Sequence, residues 1–197
     1  MGRAELSILP GMGLPHTMSE AEYVALPEHL ASRIEVVHGY VIVCDSPTPQ
    51  HQQVARRLAT AIESSRPKDP CTRVQMESDV VLWRVPKYTF RRPDAVVYRC
   101  KEDRNAKPDA SDVMLIVEVS SPSTEREDLV DKMAQYAAAG IPAYLVIRMA
   151  EDGDIVDARE FHLDAATSQY RLEAVLEHGV ALTHPFKVAV SFEELTD

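Results

Sequence analysis

Asp94, Glu118 and Lys132 are the residues whose types and spacing could do chemistry. Glu118 closes the apolar run Met114-Leu-Ile-Val-Glu118, which is bounded by the polar Ala110-Ser-Asp112 and by Ser-Ser-Pro122. That is the pattern of a strand buried on both faces. Alternation puts Met114, Ile116, Glu118 and Ser120 on one side, so the carboxylate shares a face with core residues. An unpaired buried carboxylate is costly, and Glu118 is expected to meet a cation, a metal ion or a proton. Asp94 follows Pro93, which fixes an extended entry, so the two carboxylates could lie on adjacent strands. A hard divalent cation such as Mg²⁺ or Mn²⁺ takes few carboxylate oxygens plus water. A lysine within reach would orient a water and stabilise charge developing on a phosphate.

The elements that must position these groups are legible around them. Thr124-Glu-Arg-Glu127 has the capping-box spacing, Gly140 fits the residue just past a helix end and Pro142 forbids continuation, which predicts a helix over 125–139. Its apolar stripe is Leu129, Met133, Tyr136 and Ala137. Lys132 falls at the edge of that stripe, able to point toward Glu118, while Glu127, Asp128 and Asp131 are expected on the acidic outer face. Upstream, residues 1–16 read as a flexible lead-in to a single domain over 17–197, and Ser19-Glu-Ala-Glu22 opens a short helix that Pro27 interrupts. Arg33-Ile-Glu-Val-Val37, a His38-Gly39 turn and Tyr40-Val-Ile-Val43 form a hairpin, with Glu35 a carboxylate inside an apolar strand. A helix follows from His51 to Ser65 with Val54, Leu58, Ala61 and Ile62 inward, then strands at 72–76, 80–85 and 95–98. Beyond a strand at 143–147, residues to Val190 read as an acidic β meander.

Composition bounds the rest. At 45% hydrophobic and 26% charged residues the chain is an ordinary globular one, with no global disorder. No run approaches the ~18 apolar residues of a membrane span. Met1 to His16 lacks the basic start and apolar centre of a signal peptide, so no membrane and a cytoplasmic location are expected. Cys44, Cys71 and Cys100 are odd in number and widely spaced, and are expected to be reduced structural thiols. The net charge of −10 is uneven: Lys and Arg number 15 against 14 Asp and Glu over residues 1–110, and 6 against 17 over 111–197. A polyanion should therefore approach the first part.

Arg33-Ile-Glu-Val-Val-His-Gly39, Ser46-Pro47 with His51-Gln52, Arg92-Pro-Asp94, Val117-Glu-Val-Ser-Ser-Pro-Ser-Thr124, and Asp128, Lys132, Tyr136 and Gly140 with Tyr144 together resemble the Uma2 family, restriction endonucleases of the PD-(D/E)XK superfamily. The likeness spans roughly residues 17–190, and the spaced set is far more specific than any one piece. It implies an α/β (α+β) fold: a restriction-endonuclease-like mixed β-sheet flanked by helices, here with an additional C-terminal meander. It also implies metal-dependent phosphodiester hydrolysis with Mg²⁺ or Mn²⁺. Asp94 and Glu118 match the metal-binding acids, and Glu35 matches the acid before the first core helix. Ser120 stands where the superfamily pattern has lysine, so Lys132 would take that part from the following helix.

The leading expectation is an endodeoxyribonuclease with Arg56, Arg57, Lys87, Arg91 and Arg92 steering the DNA backbone and His51, Ser120 and Tyr136 supporting the site. By analogy with enzymes that cut both strands of a duplex, a homodimer is expected. Other readings stand beside it. The same fold could be a catalytically silent nucleic-acid-binding or assembly module, or an enzyme acting on RNA or a small phosphoester. Asp94 and Glu118 could form a buried salt bridge with Lys132, and Lys132 could snorkel at a helix edge. His51 could only hydrogen-bond at its helix start, and Tyr136 could simply pack against the sheet.

Overall fold

The computed structural model describes residues 8–9, 13–44 and 46–197. In chain order the elements are β1 (Ile8–Leu9), β2 (Leu14–Pro15), α1 (Glu20–Val24), α2 (Glu28–Ala31), β3 (Ile34–Val37), β4 (Tyr40–Val43), α3 (Pro49–Ser65), β5 (Thr72–Met76), β6 (Val80–Trp83), β7 (Thr89–Arg91) and β8 (Ala95–Arg99). They continue with β9 (Val113–Ser120), a π-helical turn (Glu127–Lys132), α4 (Met133–Ala138), β10 (Ala143–Met149), β11 (Ile155–Asp164), β12 (Gln169–Leu176), β13 (Gly179–Leu182), β14 (Val188–Ser191) and α5 (Phe192–Thr196). Most of the lead-in expected at 1–16 lies outside the described residues, although Leu14 is buried. No helix among the described residues is long and apolar enough to cross a membrane.

The chain forms two compact units, residues 1–46 with 81–91 and residues 47–80 with 92–197. The first holds a four-stranded sheet in the order β4-β3-β7-β6. Its hairpin forms as predicted: Val37 pairs with Tyr40, and His38 and Gly39 both take positive φ, the two-residue turn whose twist matches the strands. The Ser19 capping box also forms, with Glu22 returning a bond to the Ser19 N–H. Ile34, Val36, Val41, Tyr88 and Phe90 bury one face of the sheet with Tyr23 from α1.

The second unit is built on a six-stranded mixed sheet in the order β12-β11-β10-β9-β8-β5, in which β9 and β10 run parallel and the other pairs antiparallel. The alternation read from the sequence holds: Leu115, Val117 and Val119 join the core under α3, leaving Ile116, Glu118 and Ser120 on the opposite face. Val54, Leu58 and Ile62 of α3 are fully buried in that core. Thr48 caps α3, its hydroxyl accepting the His51 N–H, and Pro49 opens the helix, where its missing N–H costs nothing.

Three features depart from the expectations. Cys71 and Cys100 are joined as a disulfide and are not free thiols. The cause is register: Thr72 pairs with Arg99, so the residues just outside that rung face each other with Cα atoms 5.5 Å apart. The predicted helix at 125–139 is present, but a π-helical turn interrupts it, and the Thr124 hydroxyl accepts the Ser121 N–H instead of closing a capping box with Glu127. The meander ends in α5, opened by a Ser191–Glu194 capping box whose sequence signal was legible but unread.

Candidate functional site

The C-terminal end of β9 gathers most of the predicted chemistry in the second unit. Asp94, at the entry to β8, accepts the Val119 N–H at 2.6 Å through Oδ2, which fixes its carboxylate beside the backbone that follows Glu118. His51, in the first turn of α3, places Nε2 2.7 Å from the Val119 carbonyl and 3.3 Å from Asp94 Oδ2. Its Nδ1 is buried without a hydrogen-bond partner. Burial works most strongly against charging this imidazole, yet the Asp94 carboxylate and the Val119 carbonyl outweigh it and raise its pKa.

Glu118 is 2% exposed and engaged at both oxygens. Tyr136 donates to Oε1 at 2.8 Å, and the Lys132 ammonium lies 3.1 Å from Oε2. This carboxyl is raised to about 8, chiefly by burial; Lys132 opposes the rise, and the neighbouring Asp94 and Asp128 add to it. Tyr136 is itself fully buried and tilted against Tyr144, so its ring packs on the sheet while its hydroxyl serves the carboxylate. Ser120 is 1% exposed, and its hydroxyl has no partner.

Asp128 is the residue that the sequence reading placed on the outer face and the structure places inside. It is 2% exposed, with Oδ1 2.9 Å from Lys132 Nζ, and the Tyr144 hydroxyl donates to its backbone carbonyl. A π-helical turn over Glu127–Lys132 shifts the winding at this point, and Asp128 shares the buried face with Lys132. The i, i+4 spacing of an acid and a lysine was the available signal, since residues four apart share a helix face.

The other predicted residues are distributed as follows. Glu35 lies in the first unit on β3, 4% exposed, with Arg91 Nη1 donating to its carboxylate at 2.6 Å. Arg91 is thus buried as well. Arg92 pairs with Asp79 at 2.6 Å and Arg57 donates to the Glu194 carbonyl. Arg56 is exposed on α3; Lys87 is exposed in the first unit, 5.1 Å above the Tyr40 ring.

The donor set fits a small hard cation. Asp94 and Glu118 supply carboxylate oxygens, and a buried carboxyl shifted this far is stabilised by any cation that replaces its proton. Among the described residues no three His, Cys, Asp or Glu side chains converge as a ready-made cage.

The Uma2 family profile, described as "Putative restriction endonuclease", matches residues 20–193. A crystal structure of "a putative nuclease belonging to DUF820 from Anabaena variabilis ATCC 29413" has a TM-score of 0.65 to this chain at 14% sequence identity, covering 91% of this chain and 97% of that one. At that identity the likeness speaks for the fold, which is a restriction-endonuclease-like α+β fold. No curated protein matches the chain.

Proposed function

This chain belongs to the Uma2 family, and from that premise we propose that it is a Mg²⁺- or Mn²⁺-dependent endonuclease acting on DNA. The observation that carries the reading is the pairing of Asp94, locked by the Val119 N–H, with the buried Glu118 and its lysine at one strand end. Asp94 and Glu118 would hold the cation, which when bound supplies Lewis-acid polarisation of a phosphate oxygen and an activated water. Lys132 carries a fixed ammonium beside that position, where it orients the attacking water and offsets charge growing on the phosphate as water adds and the leaving oxygen departs. Tyr136 holds the Glu118 carboxylate in one orientation. His51 bridges Asp94 and the Val119 carbonyl and keeps both aimed at the same point. Arg56 and Lys87, the exposed members of the predicted basic set, are available to the phosphate backbone. A symmetric pair of chains would provide one site for each strand of a duplex.

The test separates metal from substrate. Calorimetric titration of Mn²⁺ into the wild-type protein should give one site that Asp94→Asn and Glu118→Gln each abolish while remaining folded. With duplex DNA, single-stranded DNA and RNA as substrates, the same substitutions should lower cleavage on the order of 10²-fold or more. A folded wild-type protein that binds no Mn²⁺ at millimolar concentration, with or without nucleic acid, would sink the metal-dependent reading and favour a silent binding module.

A further inference from the structure

Lys132 sits between two buried carboxylates, 3.1 Å from Glu118 and 2.9 Å from Asp128, and the second of these has no part in the reading above. Burying an acid 2% exposed inside the sheet face is costly unless it does something the fold needs. In the resting protein the ammonium lies against Glu118 as well as Asp128. The difficulty arises when the site is loaded. A divalent cation on Glu118 repels Lys132, and the carboxylate that anchored the lysine is then shared with the competitor. Something other than Glu118 must keep the ammonium in place.

We propose that Asp128 is the positioning residue that anchors Lys132 in the loaded site, the two side chains meeting across one turn beneath the sheet. The inference rests on the reading of Asp94 and Glu118 as cation-binding acids. The Asp128 backbone is fixed from both sides: its N–H donates to the Thr124 carbonyl, and its own carbonyl accepts the Tyr144 hydroxyl. The anchor therefore does not move when Glu118 changes partner. Met133 then resumes α-helical geometry, so the irregularity is confined to the six residues Glu127–Lys132 that carry the acid and the lysine.

The experiment is residue-resolved acylation of lysine amines read by mass spectrometry, with exposed Lys68 as reference and ion-paired Lys101 as control. In wild type, Lys132 should stay protected both without metal and with saturating Mn²⁺. In Asp128→Asn, Lys132 should acylate roughly tenfold faster relative to Lys68, the loss of one charge-assisted hydrogen bond, and Mn²⁺ should increase the rate further. The acceleration should also appear without metal when Glu118→Gln/Asp128→Asn is compared with Glu118→Gln. Unchanged Lys132 labelling in Asp128→Asn, or equal acceleration of Lys101, which would mark general loosening, overturns the proposal. If Asp128→Asn does not fold, urea unfolding of Lys132→Met is compared with that of Lys132→Met/Asp128→Asn. A double variant more stable than Lys132→Met supports the anchor, because the unpaired buried acid has been removed, and one equally or less stable overturns it. Failure of wild type to bind Mn²⁺ would defeat the cation-binding reading, while the metal-free comparison still decides the anchor.

Discussion

Glu118 is where chemistry and stability meet at the scale of one residue. Its carboxyl titrates near 8 in the fold against an ordinary 4.5, chiefly because burial penalises the charged form. Between those values the folded chain holds a proton that the unfolded chain has given up, so stability falls as pH rises through that window and levels above it. Melting temperature followed from pH 5 to pH 9 without metal should decline along that slope, and Glu118→Gln should flatten it. An identical slope in the variant would mean that other groups carry the pH dependence. Glu118 was legible in the sequence as a carboxylate inside an apolar strand, because period-two alternation needs no tertiary information. Asp128 was not, because only the winding of its helix turns it inward.

At the scale of elements, the site depends on where α3 begins and how the helix after β9 winds. Thr48 and Pro49 start α3 so that His51 falls in its first turn, opposite the Val119 carbonyl. Thr48→Ala should cost about 1 kcal/mol in urea unfolding, from loss of the cap alone. It should also weaken Mn²⁺ binding slightly, since the cap sets the start from which His51 reaches Asp94; a change in stability with no change in metal affinity would separate the two roles. Val54, Leu58 and Ile62 of α3 and the ends of the hairpin could be read directly, whereas Ala61 is only partly buried and Ala55 and Ala59 take the inner face instead. The π turn could not, since Leu129, Met133 and Tyr136 satisfy α-helical spacing as written.

At the scale of the molecule, the second unit keeps its sheet edge with a covalent tie. The Cys71–Cys100 disulfide closes a span of 29 residues between the start of β5 and the end of β8, while Asp94 stands at the opposite end of β8. Replacing both cysteines by serine should lower unfolding free energy by about 2–4 kcal/mol, checked by urea denaturation with and without reductant. Because the tie lies a strand's length from Asp94, Mn²⁺ affinity should survive the change. Loss of metal binding in a folded Cys71→Ser/Cys100→Ser protein would mean that the edge and the site are coupled.

The sequence by itself determined the strand with its buried acid, the Pro93-fixed entry of Asp94, the hairpin turn at His38-Gly39 and the helix carrying Lys132. Each follows from local periodicity, from φ limits or from the cost of burying charge. Tertiary structure alone decided which cysteines meet, that Arg91 turns to Glu35 rather than to solvent, and that Asp128 joins Lys132 beneath the sheet. These depend on strand register and on a helical turn wider than the standard one. Register is fixed by packing among residues far apart in the chain, and the apolar spacing of the helix after β9 does not reveal its π turn.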